Sequence, residues 1–386
     1  MNLEEKIIKR WLYLTLKTKI TRTKLISLYK LFGSSENIFG ASKDKLLKTG
    51  LLLEEDIEAI KNANFSQIEE YMGILSINKV RVLTVESANY PEGLYSLSNM
   101  PPVLYCRGKF IDLNKVLCIA SVGTRNPSPY GKRMTYSIAR GLCEKGFVIV
   151  SGMAQGVDAI SHKAAIDAGA PTVAFVANGV DIIYPKINAP LFKAILKTGM
   201  IVSEYPLKEM PKNYYFPERN RLVAAVSKGL FVSEAGVKSG TAITVSYAVN
   251  LGKDIFALPG NADSPMSEMP NRLIKDGAAA VTNADDILSH YENIYSENLA
   301  FGKLLQKEEA QNIEITVPES PEEEGYIFPE GKNDEEKILF ALSKGPLSID
   351  DISILTKISL EDMNMQLLMM EMNGKIRNDN GIYYLL

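Results

Sequence analysis

Residues 116–123 read VLCIASVG, and residues 124–142 continue TRNPSPYGKRMTYSIARGL. The first stretch is an unbroken apolar run, which fits a strand buried on both faces rather than a half-exposed one. The second opens on a glycine turn and then sets Met134, Ile138 and Leu142 at i, i+4 and i+8, one face of a helix. Ser128 and Pro129 supply the cap and first turn of that helix. The same order of strand, turn and helix recurs outward from this point. FVIVSG, TVAFVAN, MIVSEYP, GLFVSEA, DIFALPG and AAAVTN are further apolar runs separated by helical patterns, starting about every 25 to 30 residues. The alternation predicts an α/β fold built on a doubly wound, mostly parallel sheet.

The flanks follow other periods. Residues 3–72 hold short helical patterns between turns, too short to be stable singly, and predict a small N-terminal helical domain over 1–75. VRVLTV and VLYCRG are two more strands, joined by a proline-broken link, so the sheet domain spans 76–290. Residues 291–332 are rich in Glu and Pro without periodicity and read as an acidic linker. Residues 333–386 give three short helices and then KIRNDNGIYYLL, where Asn380-Gly381 signals a hairpin. Three helices and a hairpin predict a winged-helix-like domain.

Net charge is −3, but it is unevenly spread. Residues 1–114 carry 16 Lys and Arg against 13 acids, and residues 115–290 carry 19 against 14. Residues 291–332 carry 3 against 10, and residues 333–386 carry 5 against 9, so basic charge sits in the sheet domain and N-terminal helices. Cys106, Cys118 and Cys143 lie in strand or helix patterns without C-x-x-C spacing, as reduced core cysteines do. With only His162 and His290 beside them, a zinc site is excluded. No apolar run approaches the ~20 residues of a spanning helix, and MNLEEKIIKRWLYL lacks a cleavage-like region. A cytoplasmic protein is expected.

Ligands of an open parallel sheet bind beyond the carboxyl ends of its strands. Here those ends read Gly123-Thr124-Arg125, Ser151-Gly152, Asn178-Gly179, Ser203-Glu204, Glu234-Ala235-Gly236 and Pro259-Gly260. Glycine lets backbone approach a ligand, and helix starts offer unpaired N–H groups, so the set predicts a pocket for an anionic, extended ligand. A dinucleotide site requires G-x-G-x-x-G, with an acid about twenty residues on. VGTRNPSPYG and SGMAQG lack that spacing, Ser151-Gly152 stands where the acid belongs, and no G-x-x-x-x-G-K-[ST] occurs. NAD and P-loop chemistry are therefore excluded.

Ser151 lacks the G-x-S-x-G setting of a hydrolase nucleophile. Asp158 and His162, four apart, share a helical face, as a catalytic dyad or a helix-stabilising hydrogen bond would require. Glu204 and Glu234 fit either acid–base carboxylates or groups that order neighbouring loops and arginines. Lys186, Lys212, Arg219 and Arg221 lie near strand ends or helix starts, interleaved with Tyr184, Tyr214, Tyr215 and Phe216. Guanidinium grips phosphate bidentately and aromatic faces stack unpaired bases, a combination that suits a single nucleic acid strand.

In order along residues 90–285, the stretches YPEGLYSLSNMPPVLYCRG, SVGTRNPSPYG, VIVSGMAQGVDAISHKAAI, GVDIIYPKIN, SEYPLKEMPKNYYFPERNRLVAAVS, VSEAGVKSGTAIT, DIFALPGN and NRLIKDGA appear. In this series the chain resembles the DNA-processing protein A family (DprA, also called Smf). The resemblance implies an extended Rossmann-like domain, flanked by an N-terminal domain of helix-hairpin-helix or SAM-like type and a winged-helix domain. It implies a homodimeric single-stranded DNA-binding protein that protects incoming DNA and loads RecA recombinase in natural transformation and recombination. It implies no catalytic turnover, cofactor or metal. Gly123, Arg125, Ser151, Gly152 and Lys186 match the family's phosphate-gripping positions, and Lys212 is a further match. Thr124, Gly156, Asn188, Arg219, Asn220, Arg221, Ser239, Gly240 and Thr241 lie in the same signature segments as candidate DNA- or phosphate-binding residues. The chain departs from the pattern at Gln155, where Arg is usual, and at Met269-Pro270, where a Gly is usual.

A second reading is a nucleotide-binding or nucleotide-hydrolysing Rossmann-like protein. The enzymes of the wider superfold that cleave nucleoside monophosphates resemble EAGVKSGTAIT but carry a Glu soon after Gly-Thr, where Ala242-Ile243-Thr244-Val245-Ser246 stands here. The helix SLEDMNMQLLMMEMNG of the C-terminal domain has three acids and no Lys or Arg, so that domain is expected to dock on protein, either its own sheet domain or a partner, rather than read a duplex.

Overall fold

A computed structural model of the chain describes residues 2–237, 239–307, 333–343, 347–356, 358, 360–379 and 382–385. These residues form two units, one from residues 2–210 with 217–307, the other from 211–216 with the described residues from 333 onward.

The first unit begins with α1 (Leu3–Leu16), α2 (Arg22–Phe32), α3 (Ser35–Gly40), α4 (Lys43–Leu47), α5 (Glu54–Lys61) and α6 (Ser66–Ile77). Asn2 and Glu5 form a reciprocal cap on α1: the Asn2 side chain accepts the Glu5 N–H at 2.8 Å, and the Asn2 N–H donates back at 2.9 Å. Trp11 is fully buried, and its indole N–H donates to Glu86 at 2.7 Å, fastening these helices to the sheet domain. Lys9 and Arg10 pair with Glu69 and Glu36, which neutralises part of the basic excess within the helices themselves.

The sheet follows as β1 (Val80–Thr84), β2 (Val103–Gly108), β3 (Cys118–Val122), α7 (Pro129–Glu144), β4 (Val148–Ser151), α8 (Val157–Asp167), β5 (Thr172–Phe175) and α9 (Ala189–Thr198). It continues with β6 (Met200–Ser203), α10 (Tyr215–Val226), β7 (Gly229–Val232), α11 (Gly240–Asn250), β8 (Asp254–Ala257), α12 (Glu268–Lys275) and β9 (Ala279–Ala280). The nine strands lie in the order β1-β2-β6-β5-β4-β3-β7-β8-β9. From β6 to β9 every neighbouring pair is parallel, while β1 on β2 and β2 on β6 are antiparallel. Strands β3 to β7 are buried along their length, which is why their sequences run apolar without alternation. Winding proceeds from β3 to β6 on one side and from β7 to β9 on the other, so the switch point lies between β3 and β7. The three cysteines are buried thiols, and desolvation pushes Cys106 and Cys118 up to about 12.

One stretch departs from expectation. After α13 (Ala284–Leu288), part of the predicted linker is helical, as α14 (Ser296–Lys307). Leu299 enters the core, Phe301 and Leu305 pack against it, and the backbones approach closely: a Cβ on Gly302 would overlap the Gly146 carbonyl, and one on Gly146 would overlap that of Leu299. Leu299 is buried and the Asn298 amide donates to Lys115 O at 3.0 Å. Residues 308–332 of the expected linker lie outside the described residues.

The second unit holds α15 (Asp334–Leu342), β10 (Leu347–Ser348), α16 (Ile349–Thr356), α17 (Leu360–Met372), β11 (Ile376–Asp379) and β12 (Ile382–Leu385). The strands pair antiparallel in the order β10-β12-β11 over a core of Ile338, Leu342, Ile352, Met363, Leu367, Met370 and Ile376. This is a winged helix with a short extra strand. The expected hairpin turn, Asn380-Gly381, lies outside the described residues.

Candidate nucleic-acid interface

At the switch point, the place for an anion is already filled from within. Ser128 caps α7, its Oγ accepting the Gly131 N–H at 3.1 Å. Glu234, which follows β7, presses its carboxylate on the same helix start and accepts the Ser128 N–H at 2.7 Å and the Ser128 hydroxyl at 2.6 Å. It is 3% exposed, and a Cβ on Gly131 would overlap it. The Thr124 N–H donates to the backbone oxygen of Glu234 at 2.6 Å. A helix N-terminus that would otherwise attract phosphate is thus satisfied by an internal carboxylate. Of the two readings of Glu234, loop ordering is the one the geometry realises.

The loops after β3 and β4 interlock. Gly156 has φ +72°, and a Cβ there would overlap the carbonyls of Thr124 and Arg125. The Val157 N–H donates to Thr124 O at 3.2 Å, closing the seam. Ser151 is fully buried and donates to Ser121 O at 2.7 Å, which turns its hydroxyl into the sheet. Asp158 accepts the N–H groups of Gly152 at 3.1 Å and Ala154 at 3.2 Å, and burial raises its carboxyl above the ordinary value.

His162 has another partner than Asp158. Its Nδ1 meets Thr172 Oγ1 at 2.8 Å, and that hydroxyl donates to Ile149 O at 2.8 Å, so Nδ1 carries the proton. Burial, helped by the nearby Arg219 charge, holds the imidazole down at about 3. The helical spacing of Asp158 and His162 therefore marks neither a dyad nor a mutual hydrogen bond, because each finds backbone or hydroxyl partners on neighbouring elements.

Beneath these loops lies Arg219 of α10, 4% exposed. Its Nη1 donates to the carbonyls of Gly152 and Phe175, and its Nε donates to Asn220 Oδ1 at 3.1 Å. Burial pushes the guanidinium down to about 10, with Asp158 opposing and Arg125 adding to the shift. Arg125 is exposed, and its charge reaches Arg219. Asn188 is buried and donates to Met153 O at 2.9 Å and Ala154 O at 3.3 Å, which ties the single turn Lys186–Asn188 to the β4 loop. Lys186 is exposed at the head of that turn. Gly123, Thr124, Arg125, Gly152, Gly156, Lys186, Asn188, Arg219 and Asn220 thus gather at the carboxyl ends of β3, β4 and β5.

Arg221 faces elsewhere. Two residues along a helix is a rotation of about 200°, and Arg221, fully buried, places Nη2 2.6 Å from Glu204. Arg22 of α2 reaches the same carboxylate oxygen at 3.0 Å and Glu218 at 3.5 Å. Burial raises the Glu204 carboxyl, against the pull of both guanidiniums. This ion network joins the N-terminal helices to α10, and Arg22 carried no signal of it in the sequence. Ser239 stands at the N-cap of α11 without a side-chain cap bond; Gly240 is exposed and Thr241 buried. In the second unit, Lys212 donates to the Tyr215 hydroxyl at 3.2 Å and lies 5.2 Å from the centre of its ring. Among the described residues no three His, Cys, Asp or Glu side chains gather as a metal site, and no helix is long and apolar enough to cross a membrane.

A family model described as DNA recombination-mediator protein A matches residues 81–292, and one for the DprA winged helix domain matches residues 327–381. Protein Smf of Synechocystis is 31% identical over 361 residues, 86% of either chain. The structure of DNA processing protein A from Streptococcus pneumoniae, 32% identical, superposes with a TM-score of 0.61 over 74% of this chain and 98% of its own. That of the Helicobacter pylori protein, described for its single-stranded DNA binding mode, is 33% identical, with a TM-score of 0.51 over 56% of this chain and 97% of its own. The motif series and the doubly wound sheet agree with the model spanning 81–292, the C-terminal winged helix agrees with the one spanning 327–381, and the chain belongs to the DNA recombination-mediator protein A family.

Proposed function

We propose that this chain binds single-stranded DNA across the carboxyl ends of β3, β4 and β5, and that it protects the strand and loads a RecA-type recombinase onto it, in natural transformation and in recombination generally. One observation carries the reading: the loops after β3 and β4 interlock at Gly156 over buried Arg219, and Arg125 and Lys186 stand exposed at their edge. A backbone phosphate beside Arg125 takes a bidentate grip from its guanidinium. The glycines of both loops are taken up by internal packing, Gly123 against Val157 and Glu234 O, Gly152 against the Arg219 guanidinium and Gly156 against the Thr124 and Arg125 carbonyls, which fixes the loops, and Lys186 offers a further cation to the same edge. Contacts of this kind follow phosphates and read little sequence.

Membership of the recombination-mediator family and the single-stranded DNA described for the Helicobacter pylori relative support the same reading. The carboxylates Glu204, Glu234 and Asp158 are engaged in holding arginines, a helix start and a loop, which supports a binding role without turnover. We take the working form to be a homodimer with two such crevices on one strand. The test is fluorescence anisotropy with labelled oligo-dT against duplex DNA and nucleoside monophosphates. Salt-sensitive binding of oligo-dT with weak binding of the others is expected. Stoichiometric nucleotide binding with no affinity for the oligomer overturns the proposal in favour of a nucleotide-binding protein. Recombinase loading is read separately, as faster filament assembly on a strand precoated with single-strand-binding protein.

A further inference from the structure

The helix α17 has two apolar faces. Met363, Leu367 and Met370 fill the core of the winged helix, at 0%, 1% and 3% exposure. On the opposite side Met365, Leu368, Met369 and Met372 stand at i, i+3, i+4 and i+7 and are 68%, 60%, 61% and 81% exposed. At 3.6 residues per turn these four form one stripe about 100° wide. Single exposed apolar side chains are ordinary, but a contiguous row of large ones marks a surface that meets something. Three of the four are methionines, whose unbranched thioethers adapt to an irregular partner.

The charge around the stripe selects the kind of partner. Residues 333–386 hold 9 acids and 5 bases, and α17 itself contains Glu361, Asp362 and Glu371 with no Lys or Arg. The bases described near it are engaged: Lys337 with Asp334, Lys375 with Glu335, and Arg377 over the Tyr384 ring, 5.4 Å from its centre. A polyphosphate is repelled by this surface, and a second copy brings an equal negative charge to it. A cationic segment is drawn to it.

We propose that the exposed stripe of α17 docks a cationic amphipathic protein helix, its apolar row lying on Met365, Leu368, Met369 and Met372 and its flanking Lys or Arg facing the acids of the domain. The proposal is independent of the strand-end crevice. The test uses the full-length chain and two synthetic helical peptides, both with Leu at i, i+3, i+4 and i+7, one with Lys and the other with Glu at the flanking positions. The Lys peptide is expected to bind at least ~10-fold more tightly, with the difference shrinking as salt rises. Leu368→Gln with Met369→Gln, which leaves charge unchanged, is expected to weaken that binding at least ~10-fold, with circular dichroism, melting and oligo-dT affinity unaltered. Four results overturn the idea: no binding or equal binding of the two peptides; binding that ignores the Gln pair; a concentration-dependent dimer that the Gln pair abolishes, which would make a second copy the occupant; or duplex DNA binding that it abolishes.

Discussion

The carboxylate of Glu234 holds Ser128 twice, by its amide at 2.7 Å and by its hydroxyl at 2.6 Å. The start of α7 is thereby occupied, which is why the proposed strand site lies toward β4 and β5. Glu234→Ala removes both acceptors and leaves a buried N–H without a partner, a loss of about 1–3 kcal/mol. A lower urea midpoint is expected, with oligo-dT affinity of the folded protein within a few-fold of the parent. An unchanged midpoint with lost affinity would make Glu234 a ligand contact instead.

Arg125 is expected to behave in the opposite way. Arg125→Ala should lose about 1.5–3 kcal/mol of strand binding, the range for hydrogen bonds to charged groups, or roughly 10- to 150-fold in Kd. The melting temperature should stay within a degree or two, since the side chain is exposed. The slope of log K against log salt should also become shallower, by about 0.7 for one lost phosphate contact. Parallel loss of melting temperature and affinity would assign the residue to the fold.

Two glycines with positive φ differ in their surroundings and in their backbone. Gly156 has φ +72° and abuts the carbonyls of Thr124 and Arg125, whereas Gly169 has φ +65° with nothing within 4 Å of a Cβ. Gly169→Ala should cost on the order of 1 kcal/mol from φ alone. Gly156→Ala should cost a further 1–3 kcal/mol or so, from overlap and from a ψ of −126° outside the left-handed well, and should weaken strand binding by moving Arg125. Equal denaturation midpoints for the two variants would contradict the interlocked loops.

The buried His162 predicts an acid limb of stability. The imidazole titrates near 6.5 in the unfolded chain but only at about 3 in the native protein. Between those values the unfolded state binds the extra proton, so native stability falls as pH falls through this window, by up to about 1.4 kcal/mol per unit. Asp158 and Glu204, whose carboxyls burial raises, act in the opposite sense, with stability lost as pH rises through their native values. The difference between the parent and His162→Asn, which keeps a donor for Thr172, isolates the histidine. Parallel pH profiles of the two proteins between pH 6.5 and 4 would remove it as the cause.

The strands were legible along the chain because those buried on both faces leave Val- and Ile-rich apolar runs of four to five residues, each ended by a Gly or Ser turn and followed by a helical pattern. Ser128 and Pro129 were legible as a helix start for an equally local reason. The capping carboxylate was not, since Glu234 lies 106 residues away and reaches Ser128 only because β7 pairs with β3. The four residues ERNR conceal a division of labour between Arg219 and Arg221 that appears only when α10 is wound. The helix α14 escaped notice because its apolar stripe is short, is interrupted by Gly302 and runs into the Glu- and Pro-rich stretch that follows.

That division within α10 has a further consequence. Arg219 is bonded to the backbone of Gly152 and Phe175 on one side of the helix, and Arg221 to Glu204 on the other. A helix pinned on both sides keeps its register, so the loops above it hold their shape before any strand arrives. On the proposed function the entropy of ordering falls on the flexible DNA, and association should show little change in protein heat capacity beyond the surface it covers.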